Sequence, residues 1–259
     1  MLRLNAYTHH EPVPTSAVVW RGPSSFNNAP IVAIVTGLVR KNTNKKTGAN
    51  LAQLWILAED LSPLDAIKIG RDRSICGTCR HRGDGTGKDR SCYVVVKNAP
   101  LSVWKTYASG GYASMRPADV ATHLASRSMG IRLGAYGDAA ALPIDVIRDI
   151  TTGISFTGYT HAWRDRPDLA PWLMASTDSP NEQALASDAG WRTFRVRTPD
   201  QSLVTHEIAC PASAEAGTRT NCDHCKLCDG ARGAGDRRAN VTILVHGTGA
   251  HSFLRMAAV

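Results

Sequence analysis

With 259 residues, a hydrophobic fraction of 43% and six tryptophans, the chain has enough apolar material for an ordinary core, so neither disulfides nor a metal is needed merely to offset small size. Met1 to Thr15 carries His9, His10 and Glu11 where a secretory signal needs an apolar run, and no stretch approaches a membrane span; the expectation is a soluble, cytoplasmic protein with no membrane partner. Thirty Lys and Arg against 22 Asp and Glu leave a formal charge of +8, a bias toward phosphate-bearing partners such as a nucleotide or nucleic acid that by itself locates no site.

The apolar, β-branched runs Ile31 to Val39 and Leu51 to Leu57 flank the lysine-bearing segment Lys41 to Asn50 and predict a β-hairpin with a basic loop. Ser62-Pro63 has the form of an N-cap followed by proline at the first helical position, opening a short helix through Lys68. After the first cysteines the pattern predicts a strand at Tyr93 to Val96, helices at Leu101 to Tyr107 and Pro117 to Arg127, and a strand at Ile131 to Ala135. It continues with a helix at Pro143 to Thr151, strands at Ser155 to Thr160 and Trp172 to Ser176, a helix at Pro180 to Ala189, and strands at Thr193 to Arg197 and Val241 to His246. Strands alternating with helices imply βαβ units, so the fold class expected is α/β: a partial (β/α) barrel with mostly parallel strands, an N-terminal β-hairpin and cysteine-rich loops. Residues 1–70 supply the hairpin and short helix, packed on an α/β body of residues 71–259 that carries the cysteines, the whole forming one unit.

In such folds reactive groups gather where strands end and loops begin. The predicted strand ends are polar: Tyr136, Gly137 and Asp138; Thr160 and His161; Ser176, Thr177 and Asp178; His246; and Arg195 and Arg197 within a strand. Each has a plainer account when taken singly, Asp178 and Ser179 as helix caps, Gly137 as a turn, His246 as a core histidine. Together they suggest a polar pocket at one end of the sheet.

Seven cysteines, an odd number with five in C-x2-C spacings, point in a reducing compartment to metal ligation before disulfides. Cys210, Cys222, Cys225 and Cys228 contain the run C-x2-C-x2-C that opens a bacterial ferredoxin-type pattern, with Pro211 after Cys210, although here the Cys-Pro lies upstream. Four thiolates fill a cubane cluster completely, or a structural zinc site. Cys76, Cys79 and Cys92 supply only three, and a cubane held by three cysteines keeps one iron open for a non-protein ligand. The alternatives are a zinc site completed by His81, or a mixed site joining Cys76 and Cys79 to Cys225 and Cys228. The segment Arg80 to Lys88 is glycine-rich and basic but lacks the G-x4-G-K-[ST] spacing of a P-loop.

A partial barrel with an open three-cysteine group and a second cysteine-rich segment resembles the radical S-adenosylmethionine superfamily, with C-x2-C-x12-C here in place of its usual C-x3-C-x2-C. The runs Gly134-Ala-Tyr-Gly-Asp138, Thr157-Gly-Tyr-Thr-His-Ala-Trp163 and Cys210-Pro-Ala-Ser213 also resemble cysteine-rich proteins encoded by tailed phages. The first resemblance implies that Cys76, Cys79 and Cys92 hold a catalytic [4Fe-4S] cluster whose open iron takes S-adenosylmethionine, and that an electron donor reduces it to release a 5'-deoxyadenosyl radical. It implies an auxiliary cluster on the second group, catalytic roles for Tyr136, Asp138, His161, Asp178 and Arg195, and cofactor contacts at Gly134, Gly137 and Ser176. The competing expectation is a zinc-stabilised, non-catalytic nucleic-acid-binding protein that uses the Lys41 to Lys46 and Arg80 to Lys88 loops, with Trp104 and Tyr107 stacking on bases.

Overall fold

Apolar residues at alternate or consecutive positions of short β-branched runs form ten strands of one sheet, while the amphipathic runs between them form helices. The computed structural model describes residues 13–39, 45–86, 88–233 and 235–257; residues 41–44 of the predicted basic loop lie outside them. The strands are β1 (Ser16–Pro23), β2 (Pro30–Thr36), β3 (Leu51–Ala58), β4 (Ala113–Ser114), β5 (Gly130–Tyr136), β6 (Phe156–Thr160), β7 (Met174–Thr177), β8 (Thr193–Arg197), β9 (Glu207–Ala209) and β10 (Asn240–Leu244). The helices are α1 (Pro63–Lys68), α2 (Arg73–Cys76), α3 (Ala99–Ala108), α4 (Pro117–Ser126), α5 (Ile144–Thr151), α6 (Pro180–Asp188), α7 (Cys222–Cys225) and α8 (Ala250–Ala257). Among the described residues no helix is long and apolar enough to cross a membrane.

The strand order is β4-β1-β2-β3-β5-β6-β7-β8-β10-β9. β1, β2 and β3 are antiparallel, and from β3 through β5, β6, β7, β8, β10 and β9 every pairing is parallel. The first and last strands in this order do not meet, so the expected partial α/β barrel is an open one. The N-terminal strands share the main core with the α/β body: Ile31, Ile34 and Leu54 are fully buried in one cluster with Ile131, Leu133, Val120, Leu124, Ile147 and Ile150.

Side-chain alternation along the parallel strands decides where the site lies. On β5, Ile131 and Leu133 enter the core, while Arg132, Gly134 and Tyr136 line a cavity of about 420 Å³. Thr157 and Tyr159 of β6, Phe194 and Val196 of β8, and Val241 and Ile243 of β10 share that inner surface. Five of the cavity-facing positions are polar or glycine, so the inner face of the half-barrel is not closed off by packed apolar side chains.

Tyr93 to Val96 is not a strand. Its side chains are apolar for another reason: Tyr93 and Val94 line the cavity and Val96 is buried in the core, while a turn at Asn98, whose N–H donates to Val95 O at 3.1 Å, leads into α3. β1 escapes the sequence pattern although it completes a three-stranded meander through a bulge between Val18 and Trp20. The three-residue β9 and the C-terminal α8 carry too few periodic residues to announce themselves. Trp104 and Tyr107 pack against the core, and Tyr107 Oη donates to Glu59 at 3.2 Å, so neither is a free stacking platform.

Candidate metal centre

All seven cysteines are free thiols, and all seven line the one cavity. They reach it by two routes. Cys76 ends α2, and Gly77 at φ 55° turns the chain so that Cys79 N donates to Cys76 O at 3.1 Å. The loop then folds back, Cys92 N donating to His81 O at 3.2 Å, and Asp138 N donates to Ile75 O at 2.6 Å, which docks the turn on the end of β5. Asp72, 1% exposed, accepts from Arg82 at 2.6 Å and Arg90 at 3.1 Å. Two basic residues of this region therefore serve as internal struts and not as a phosphate-binding loop.

The other group forms on the opposite stretch of the cavity. Cys222 N donates to Lys46 O and Asp223 N to Thr47 O, both at 3.0 Å, so α7 sits on the loop before β3. Asn221 caps α7 by accepting from His224 N, and Lys226 takes a left-handed conformation at φ 53° that sends the chain on to Cys228, whose carbonyl accepts from Gly158 N at 3.0 Å. Cys210 N donates to Thr242 O at 2.7 Å. The three-thiol group lies by Tyr136 and the four-thiol group by Arg132 and Tyr159. Tyr136 and Arg132 stand four positions apart on β5, about 13 Å along a regular strand.

Burial pushes the thiols up: Cys79 and Cys228 to about 12, Cys76 well above its ordinary value, and Cys92, Cys210 and Cys222 upward. Cys76 is raised further by Cys79 and Cys92, which places these three within electrostatic reach of one another. Around them, Asp138 accepts from Ala140 N at 2.9 Å, Thr160 Oγ1 at 3.0 Å and His161 N at 2.9 Å, yet its burial still raises its pKa. His81 Nε2 and Asp178 Oδ2 are 2.9 Å apart, and His81 Nδ1 is 2.6 Å from Ser91 Oγ. Both ring nitrogens of His81 thus have partners among the described residues. Tyr136 Oη, His161 Nε2 and Asp178 Oδ1 are shut from solvent with no hydrogen-bond partner.

Of the side chains singled out in the sequence, Gly134, Tyr136, Gly137, Asp138, His161 and Ser176 all line the cavity, and Asp178 adjoins it through His81. Gly137, at φ 79°, has backbone where a side chain would go: a Cβ would stand 2.6 Å from Ile56 O. Arg195 is committed elsewhere. Fully buried on β8, it makes paired bonds of 2.8 and 2.6 Å to Glu207 of β9, spanning β10 between them, and donates to Ser202 O at 3.0 Å. Lys46, which the sequence placed in the basic loop, and Arg132 and Lys226, unremarked there, line the cavity near the four thiols. The available signal was Arg132 itself, a charge in an apolar strand in step with Gly134 and Tyr136.

Fold and cavity together define an open α/β half-barrel whose interior is a thiol-lined chamber. Comparison with protein-family models, with the curated proteins and with solved structures gives no match.

Proposed function

We propose that the chain is an iron-sulfur enzyme of the radical type, with an open [4Fe-4S] cluster on Cys76, Cys79 and Cys92 and a closed one on Cys210, Cys222, Cys225 and Cys228. The observation that carries this reading is the convergence of seven free thiols on one cavity of about 420 Å³, within the range of small-molecule sites. Buried neutral thiols surrounded by other thiols gain when a metal takes them as thiolates. Tetrahedral zinc, with Zn–S near 2.3 Å, needs sulfurs about 3.8 Å apart. Among the described residues no cysteine trio has its sulfurs within 4.8 Å of one another, so the thiols do not already stand at that spacing.

When bound, the three-thiol cluster supplies one electron and a free coordination position for the amino and carboxylate groups of S-adenosylmethionine. The chain's own residues prepare the surroundings. Gly134 and Gly137 bring bare backbone to the cavity wall, and Tyr136 Oη offers a hydrogen-bonding atom that nothing among the described residues satisfies. Arg132, Lys46 and Lys226 give one stretch of the wall positive charge, which suits an anionic substrate such as a nucleotide. Anaerobic reconstitution is expected to give a brown protein with about eight iron atoms per chain and cluster EPR signals on reduction. With S-adenosylmethionine and a reductant it should form 5'-deoxyadenosine and methionine. A colourless protein carrying stoichiometric zinc would overturn the proposal.

A further inference from the structure

The cavity holds a second set of metal-ligand atoms that the thiol chemistry does not use. We propose that His81, His161 and Asp178 bind one divalent first-row metal ion through two imidazoles and one carboxylate, leaving its remaining positions to an oxygen donor, such as a carboxylate or phosphate, in the cavity. One ligand atom from each residue lies within 4.8 Å of the others. Two histidines and a carboxylate are a donor set that suits iron(II), manganese(II) or zinc(II) while keeping positions open. The three come from distant parts of the chain: the turn after Cys79, the end of β6 and the end of β7.

Three observations fit an ion bound between them. His161 Nε2 and Asp178 Oδ1 are buried atoms without partners, and the Asp178 side chain is only 6% exposed. The hydroxyl of Ser91 donates to Met256 Sδ at 3.4 Å, which leaves Ser91 Oγ to accept from His81 Nδ1 at 2.6 Å. His81 Nε2 then faces the carboxylate oxygen of Asp178 at 2.9 Å, an arrangement satisfied by a cation between them, a proton or a metal ion. The separation is that of neighbouring ligands on one ion: two donors about 2.1 Å from a metal and at right angles stand about 3.0 Å apart.

The supporting contacts are those of a prepared site. His81 lies parallel to Phe253 with ring centroids 5.5 Å apart and meets the edge of His161 at 5.1 Å. Asp138 holds the His161 backbone N–H at 2.9 Å, and Asp178 N donates to Glu182 Oε2 at 3.0 Å.

The site is nitrogen and oxygen only, so manganese(II), a hard ion with little affinity for thiols, probes it separately from the cysteines. The full chain, purified anaerobically with whatever its thiols hold, is dialysed against EDTA and then titrated with manganese(II), free ion being followed by its EPR signal. One equivalent should bind. Asp178→Asn and His161→Gln should each weaken that binding at least tenfold with unchanged melting curves, while Asp84→Asn, at an exposed carboxylate of the Arg80 to Lys88 loop, should leave it intact. No saturable uptake, or uptake undiminished in both cavity variants, would overturn the site. Manganese uptake by a protein without iron-sulfur absorbance would sink the cluster reading alone.

Discussion

Burial raises the thiols at both stretches of the cavity, but carboxylates stand among their charged neighbours at only one of them. Cys76 lies near Asp72 and Asp138, which raise it further, and Cys79 lies near Asp138 and Asp178, while Arg82 draws Cys79 and Arg90 draws Cys92 the other way. Cys210 and Cys222 are instead drawn down by Lys46, and Cys222 by Arg132 as well. A group held by four thiolates carries excess negative charge, which nearby cations offset. A group held by three, beside carboxylates and histidines, has the surroundings for a further ligand. The contrast is in keeping with the separate roles proposed above, four thiols closed and three open.

The largest expected effect breaks the four-thiol side alone. Cys210 follows β9 directly, and β9 is tied to β8 through the fully buried pair Arg195 and Glu207. Glu207→Leu strands a buried guanidinium and should cost about 3 to 5 kcal/mol, measured as a fall in the urea midpoint at constant slope. Combining it with Arg195→Met, which removes the stranded charge, should restore most of the loss. If Glu207→Leu alone is neutral, the pair is not what anchors this side.

A second effect sharpens the contrast through pH. In chelator-treated, reduced protein, Cys79 and Cys228, raised to about 12, should be alkylated at pH 8 about 100 to 1000 times more slowly than an ordinary thiol. The sign for stability follows. These thiols hold their protons in the folded chain after unfolded thiols, near 8.5, have lost them, so their contribution is fully present below about pH 8.5 and is lost as pH rises toward 12. The metal-free protein should therefore melt progressively lower across that window, checked by calorimetry. Rapid alkylation of Cys79 at pH 8 would contradict the burial that sets the scheme.

The difference between the two sides also marks how far the sequence could be followed. The βα rhythm from Pro117 to Arg197 is legible because each element there is long enough to show its own period, and strand-end residues Tyr136, Asp138, His161 and Ser176 follow from it. The grouping of the cysteines is legible from spacing. Arg195 misled because position along a strand does not reveal whether a cation faces a cavity or a buried carboxylate; Glu207 sits in a three-residue strand with no periodic signal. Lys46 and Lys226 reach the cavity through loops whose paths depend on long-range backbone bonds such as Cys222 N to Lys46 O. Nor does any local pattern bring His81 to Asp178, 97 residues away.

The smallest effect tests why Asp178 belongs to the three-thiol side at all. From sequence it competes with Ser179 to cap α6, and a capping Asp178 would be turned toward the helix. Ser179 Oγ takes that role, accepting from Glu182 N at 3.1 Å, while Glu182 reaches back to Asp178 N at 3.0 Å. The division of labour frees the Asp178 carboxylate for His81. Ser179→Ala should lower stability by about 1 kcal/mol, read from the urea midpoint, and leave iron content unchanged, because α6 supplies no thiol. Its reach should stop at Asp178: a weakened grip on manganese(II), with the spectrum of the four-thiol side unaltered, would separate the helix cap's role in positioning from its role in stability. A change in that spectrum would instead mean that the two sides are mechanically coupled through the sheet.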